Sequence, residues 1–262
     1  MPPESIEPRV EAAFLNAFAN AENYLRRILE DLATDKGIVV RDALNIERID
    51  AALREIRTQM DALGYRDAVY TELNGLTELF REAKKEAESK GFDKKWKEEF
   101  VATSRHAVRM LLEGTEAELV QVGNQAAEDV SALLRRSITG TTEYKDLIGS
   151  IQRKLEIKRH QAMTLAVTAL HSFNSSVRFA NAKEAGIEWF RYRGPDDKVT
   201  RDWCGHWINR IGTAKMFENT ADKWGRKGQP VPVMTWRGGY NCRHRFDPVL
   251  EGEVDEHVKG PR

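Results

Sequence analysis

Two short pairs of residues carry most of the chemistry this chain can offer: Cys204 with His206, and Cys242 with His244. They contain the only two cysteines in 262 residues, and each cysteine is followed two positions later by a histidine. Thiolate and imidazole are the donors of a tetrahedral zinc site, and two such pairs at the ends of a long loop would supply four of them. One intervening residue puts both side chains on the same face of an extended strand. A metal set of Cys204, His206, Cys242 and His244 therefore needs the two ends of the loop to meet. The same residues also allow a close, unbridged thiol pair within a core, or a disulfide in an oxidising compartment or exported particle. A catalytic cysteine has no recognisable nucleophile motif around it.

The surrounding stretch, from Tyr192 to His244, holds four of the six tryptophans: Trp203, Trp207, Trp224 and Trp236. Between Arg191 and Arg245 there are twelve Lys or Arg against five Asp or Glu, although the whole chain is balanced at 41 of each. Basic residues interleaved with tryptophans suit single strands or phosphates, which makes a DNA-binding module one reading. Another is a zinc-dependent enzyme, with Asp196, Asp197 and His206 as acid and base. Acidic residues beside Gly194-Pro195 also make an ordinary turn.

The run from Asp197 to Cys204, of the form Asp-x-x-Thr-Arg-x-x-Cys, is followed downstream by Gly238-Gly239-Tyr240-Asn241-Cys242-Arg243-His244. This paired pattern resembles the signature of the phage head morphogenesis proteins, the Mu F-like minor head proteins of tailed bacteriophages, over about residues 159–250. The motif residues of the resemblance are Asp197, Thr200, Arg201, Cys204, Gly239, Asn241, Cys242, Arg243 and His244. His244 stands where many relatives have cysteine. The resemblance implies a structural, non-enzymatic minor head protein, made in the host cytoplasm and carried inside the head near the portal. Its implied partners are the portal protein, other head proteins and the packaged DNA, and its implied role is head assembly or genome delivery.

The elements that must position these residues follow from the rest of the chain. Proline is absent between Pro8 and Pro195, whereas five of the eight prolines lie from Pro195 onward. Proline costs about 3 kcal/mol in a helix interior, so the first seven-tenths is expected to be helical. Apolar residues at steps of three and four predict a first helix from Ser5 through Phe14, Phe18 and Leu25. A second is expected from Asn45 to Gly64 and a third from Asp67 to Gly91. A fourth should stop at Gly114, a fifth open on the capping box Thr115-Glu116-Ala117-Glu118, a sixth carry Tyr144 to Leu155, and a seventh run from Lys158 to Ala185 with Gly186 as its cap.

Beyond Gly186, the runs Ile187–Tyr192, Val231–Trp236 and Arg245–Leu250 have strand character. A small sheet of these three would bring Cys204 and Cys242 together. The expected fold class is mainly α: an elongated multi-helix region over 1–157 suited to docking, a long helix plus a small, loop-rich α+β module over 158–250, and a flexible tail over 251–262. No run approaches the roughly 18 apolar residues of a membrane span, and no basic region leads into an apolar one at the N-terminus. The protein is expected to stay in a cytoplasm unless it leaves inside a particle.

Overall fold

The structure is a computed structural model that describes residues 5–32, 47, 51, 58, 60–89, 94–139, 144–221 and 232–254. Among these, four long helices come first: α1 (Glu7–Leu32), α2 (Tyr65–Ser89), α3 (Lys94–Thr139) and α4 (Tyr144–Glu184). A three-stranded sheet and three short helices follow: β1 (Trp189–Arg193), α5 (Asp202–Trp207), β2 (Ile211–Thr213), α6 (Ala214–Ala221), α7 (Val233–Trp236) and β3 (Arg245–Val249). The chain is thus mainly helical with a small antiparallel sheet and short helices at its C-terminal end. No described helix is long and apolar enough to cross a membrane.

Two expected helix breaks are absent. Helix α3 runs straight through Gly114, and Thr115 lies buried inside it instead of capping a new helix. A glycine costs only about 1 kcal/mol in a helix interior, and no proline follows to enforce a stop. Helix α4 likewise joins the expected sixth and seventh helices, since Leu155 to Lys158 holds neither glycine nor proline. The end of α4 is as expected. Gly186 takes a φ of 70°, its N–H reaches the Lys183 carbonyl at 3.0 Å and the Ile187 N–H reaches Ala182 at 2.9 Å, the paired bonds of a glycine-terminated helix. The expected second helix lies largely outside the described residues, as do the side chains of Trp96 and Phe100.

The chain forms two compact units that do not divide at a single point in the sequence. One comprises residues 4–75 and 112–166. The predicted stripe of α1 supplies much of its core, with Ile6, Val10, Phe14, Phe18, Ala21 and Leu25 all buried. Tyr65 packs edge-on against Phe14 and Phe18, and its hydroxyl donates to the Leu119 carbonyl at 2.6 Å. The α3 backbone can approach Tyr65 this closely because residue 123 is glycine. A Cβ there would stand 2.6 Å from the Tyr65 ring.

The other unit, residues 1–3, 76–111 and 167–262, contains the sheet. The strand order is β2-β1-β3, all antiparallel, with Tyr192 opposite Phe246 and Phe190 opposite Gly212. Alternation sends Phe190, Tyr192 and Phe246 inward, where they join Trp203, Trp207, Phe217 and Met234. Two of the three expected strands are β1 and β3. The third, Val231–Trp236, is corrected: Val233–Trp236 is a single helical turn, α7, entered from Pro232. Pro232 is the N-cap residue, and the N–H groups of Thr235 and Trp236 both turn back to its carbonyl. The remaining strand is β2, whose central Gly212 lets the Trp207 ring lie against the backbone.

Candidate metal centre

The first half of the motif is a turn closed on itself. The Thr200 hydroxyl accepts from the Asp197 N–H at 2.9 Å and donates to the Pro195 carbonyl at 3.1 Å, while Asp197 Oδ1 accepts from the Val199 N–H at 3.1 Å. Asp and Thr form such side-chain turns readily, and this one leads into α5, which carries Cys204. The second half reverses the chain within a few residues. Arg237, Gly239 and Asn241 have φ values of 54°, 104° and 52°. That reversal turns the Gly238 N–H onto Cys242 Sγ at 3.1 Å, and the Asn241 N–H donates to Thr168 Oγ1 on α4 at 3.1 Å.

The two halves interlock. Arg243 forks onto both oxygens of Asp197 at 2.9 Å each, Arg201 donates to the Tyr240 carbonyl at 2.6 Å, and His244 Nε2 lies 2.9 Å from the Pro195 carbonyl. The forked ion pair holds the Asp197 carboxyl down to about 2, chiefly through its hydrogen bonds from Arg243. An Asp197 committed in this way is a bracket between the halves and makes a poor proton carrier at neutral pH.

Behind this closure, the donor atoms of Cys204, Cys242 and His244 lie within 4.8 Å of one another, and all three residues are buried. Cys242 Sγ is 3.7 Å from His244 Nδ1. A carbonyl only accepts, so His244 Nε2 must carry the proton that meets Pro195, and in the neutral ring Nδ1 then presents a lone pair toward the sulfurs. A metal-ligating histidine is held in this way, one nitrogen fixed by an outer acceptor and the other free for the ion. The Cys204 thiol hydrogen-bonds to Cys242, which favours the Cys242 thiolate. Burial opposes that, while the contact from Tyr192 and the charge of Arg237 assist it. The same bond, together with burial, pushes the Cys204 thiol up. Two buried sulfurs with a correctly oriented imidazole suit a soft or borderline divalent ion.

His206 is not in this group. It sits on α5 in a partly exposed position, lining a shallow cleft with Asp196, Asp197, Arg201 and Asp202. On a helix, residues two apart point to roughly opposite sides, so a buried Cys204 sends His206 away from the cluster. Cys242 and His244 lie instead just before β3, and both are buried while Arg243 between them is exposed, so here two apart means the same side.

Tyr192, Gly194 and Arg237 carried no motif signal in the sequence, and Gly238, although part of the quoted run, gave no sign of its contact with the sulfurs. The Tyr192 hydroxyl lies 3.3 Å from Cys204 Sγ and 3.5 Å from Cys242 Sγ. Gly238 lies against both sulfurs: a Cβ there would come within 2.8 Å of Cys242 Sγ and closer still to Cys204 Sγ. Gly194 does the same for the imidazole, where a Cβ would stand 2.7 Å from His244 Cγ. Arg237 is 1% exposed, and burial pushes its guanidinium down while the sulfurs and the Tyr192 hydroxyl, when ionised, pull it back up. No family model matches this chain, and no curated protein or solved structure matches it either.

Proposed function

We propose that this chain is a structural minor head protein of a tailed bacteriophage, non-enzymatic and held inside the head near the portal. There it assists head assembly or genome delivery. Its C-terminal module is a knob closed by one zinc ion on Cys204, Cys242 and His244. The observation that supports this reading is the interlock of the two motif halves. Residues grouped in sequence only by their resemblance to the Mu F-like pattern meet in space as Asp197 with Arg243, Arg201 with the Tyr240 carbonyl, and Cys204 with Cys242. A signature that arose by coincidence has no reason to close on itself through these residues.

Zinc suits the donor set because it takes thiolate and imidazole together without redox chemistry, and a buried site of this kind is structural. The role asks of the chain a rigid module on helical supports, and no catalytic group is needed.

Peptide mass spectrometry of purified particles from the phage or prophage carrying this gene tests the reading, with crosslinking to name its neighbours. A portal-crosslinked species at low copy is expected. Absence from particles would overturn the virion assignment. Elemental analysis of the chain purified under reducing conditions is expected to return one zinc per chain.

A further inference from the structure

A buried tyrosine hydroxyl needs a polar partner, and the one on Tyr192 meets only sulfur. Tyr192 is fully buried on the central strand, edge-on to Trp203 and stacked on His244 with ring planes 9° apart. Its oxygen lies 3.3 Å from Cys204 Sγ and 3.5 Å from Cys242 Sγ, and these are its hydrogen-bond partners among the described residues. A neutral thiol is a weak acceptor, whereas bonds to an ionised acceptor are roughly twice as strong as neutral ones. Two thiols therefore serve this hydroxyl poorly, and two metal-bound thiolates serve it well.

Metal binding also fixes the direction of the bond. Sulfurs that hold a metal have given up their protons, so the phenol is the only donor left between Tyr192 and the two cysteines. Burial, and after it the charge of the sulfurs, pushes ionisation of the phenol well up, so the proton stays on its oxygen. One proton faces two acceptors, and the backbone decides between them. Cys242 Sγ already accepts from the Gly238 N–H at 3.1 Å. Cys204 Sγ is the nearer of the two to Tyr192 and accepts from no backbone N–H among the described residues.

We propose that Tyr192 is a positioning residue of the metal centre: its hydroxyl donates to the Cys204 sulfur as the Gly238 N–H donates to that of Cys242. Each metal-bound thiolate then carries one hydrogen bond from the fold. This rests on the metal reading above and adds to it the groups that orient the ligands and hold their charge. Because Tyr192 stands on the central strand, the bond ties the ion to β1 as well as to the two motif halves.

The test loads the reduced full-length chain, stripped of metal, with one equivalent of cobalt(II), whose sulfur-to-metal charge-transfer band reads the electron density on the thiolates. Tyr192→Phe keeps the ring and its packing and removes the donor. It should move that band to longer wavelength and weaken cobalt binding about tenfold or more. A variant that binds cobalt with the band at its wild-type position overturns the assignment, because a purely packing role leaves the sulfur levels where they are. Should the variant fail to fold, the wild type decides. Loaded with an NMR-active cadmium isotope, it should show a coupling between the metal nucleus and the Tyr192 hydroxyl proton across the sulfur, and a spectrum without that coupling overturns the assignment. A wild-type chain that gives no thiolate-to-cobalt band overturns the metal site itself, which separates that failure from this one.

Discussion

The Asp197 carboxylate accepts hydrogen bonds from both arms of Arg243 and from the Val199 N–H. Each of these bonds favours the ionised form, and together they bring the group down to about 2 from an ordinary 3.8. Because the folded value lies below the unfolded one, the stability this residue contributes is fully present above about pH 4. It is lost as the pH falls toward 2. Both side chains are two-fifths or more exposed, so water and salt screen the pair and its contribution is modest. Its value is in geometry, since a forked guanidinium fixes orientation as well as distance. Arg243→Met should bring the Asp197 carboxyl titration, followed by carbon NMR, back up toward 3.8. An unchanged midpoint near 2 would mean that the turn alone, not the meeting of the two halves, holds the charge.

At the scale of elements, the module depends on how α5 and α6 are tied. Thr220 on α6 accepts hydrogen bonds from the indoles of Trp203 at 3.3 Å and Trp207 at 2.8 Å, while its own hydroxyl turns back to the α6 backbone. Trp207 is fully buried, so its N–H has no route to water once that acceptor is gone. Thr220→Val keeps the shape and removes the acceptor, and should cost about 1–3 kcal/mol in denaturant unfolding. Thr220→Ser should stay within about 0.5 kcal/mol of wild type, because it keeps the oxygen. Much of this level was legible beforehand. The stripe of α1, the Gly186 stop, β1 and β3 all follow from periodicity and turn chemistry. His206 did not, because a Cys-x-His pair reads the same in a helix and in a strand while only the strand puts both side chains on one side. The turn Val233–Trp236 escaped for a related reason: β-branched and aromatic residues suggest a strand unless the capping role of Pro232 is weighed. Tyr192 could be placed on a strand from its neighbours, but nothing local says that its hydroxyl meets two sulfurs, one of them fifty residues away in the chain.

Over the whole molecule, the described tryptophans, Trp189, Trp203, Trp207 and Trp236, all belong to the unit that holds the metal cluster, so their emission reports on that unit. The helical circular dichroism signal comes from both units, since α1 belongs to one and α2, α3 and α4 run through the two. The core around Phe14, Phe18 and Tyr65 contains none of the proposed ligands. Zinc bound only by the native state at a hundredfold excess over its Kd stabilises that state by about 2.7 kcal/mol. A chelator should therefore lower the melting temperature seen by tryptophan emission while the helix signal keeps a component that melts where it did before. A tryptophan transition that does not move with chelator would remove the metal from any role in holding the module closed. Equal displacement of both signals would mean instead that the long shared helices transmit the loss of the ion to the whole chain, because a helix anchored in two cores frays from neither alone.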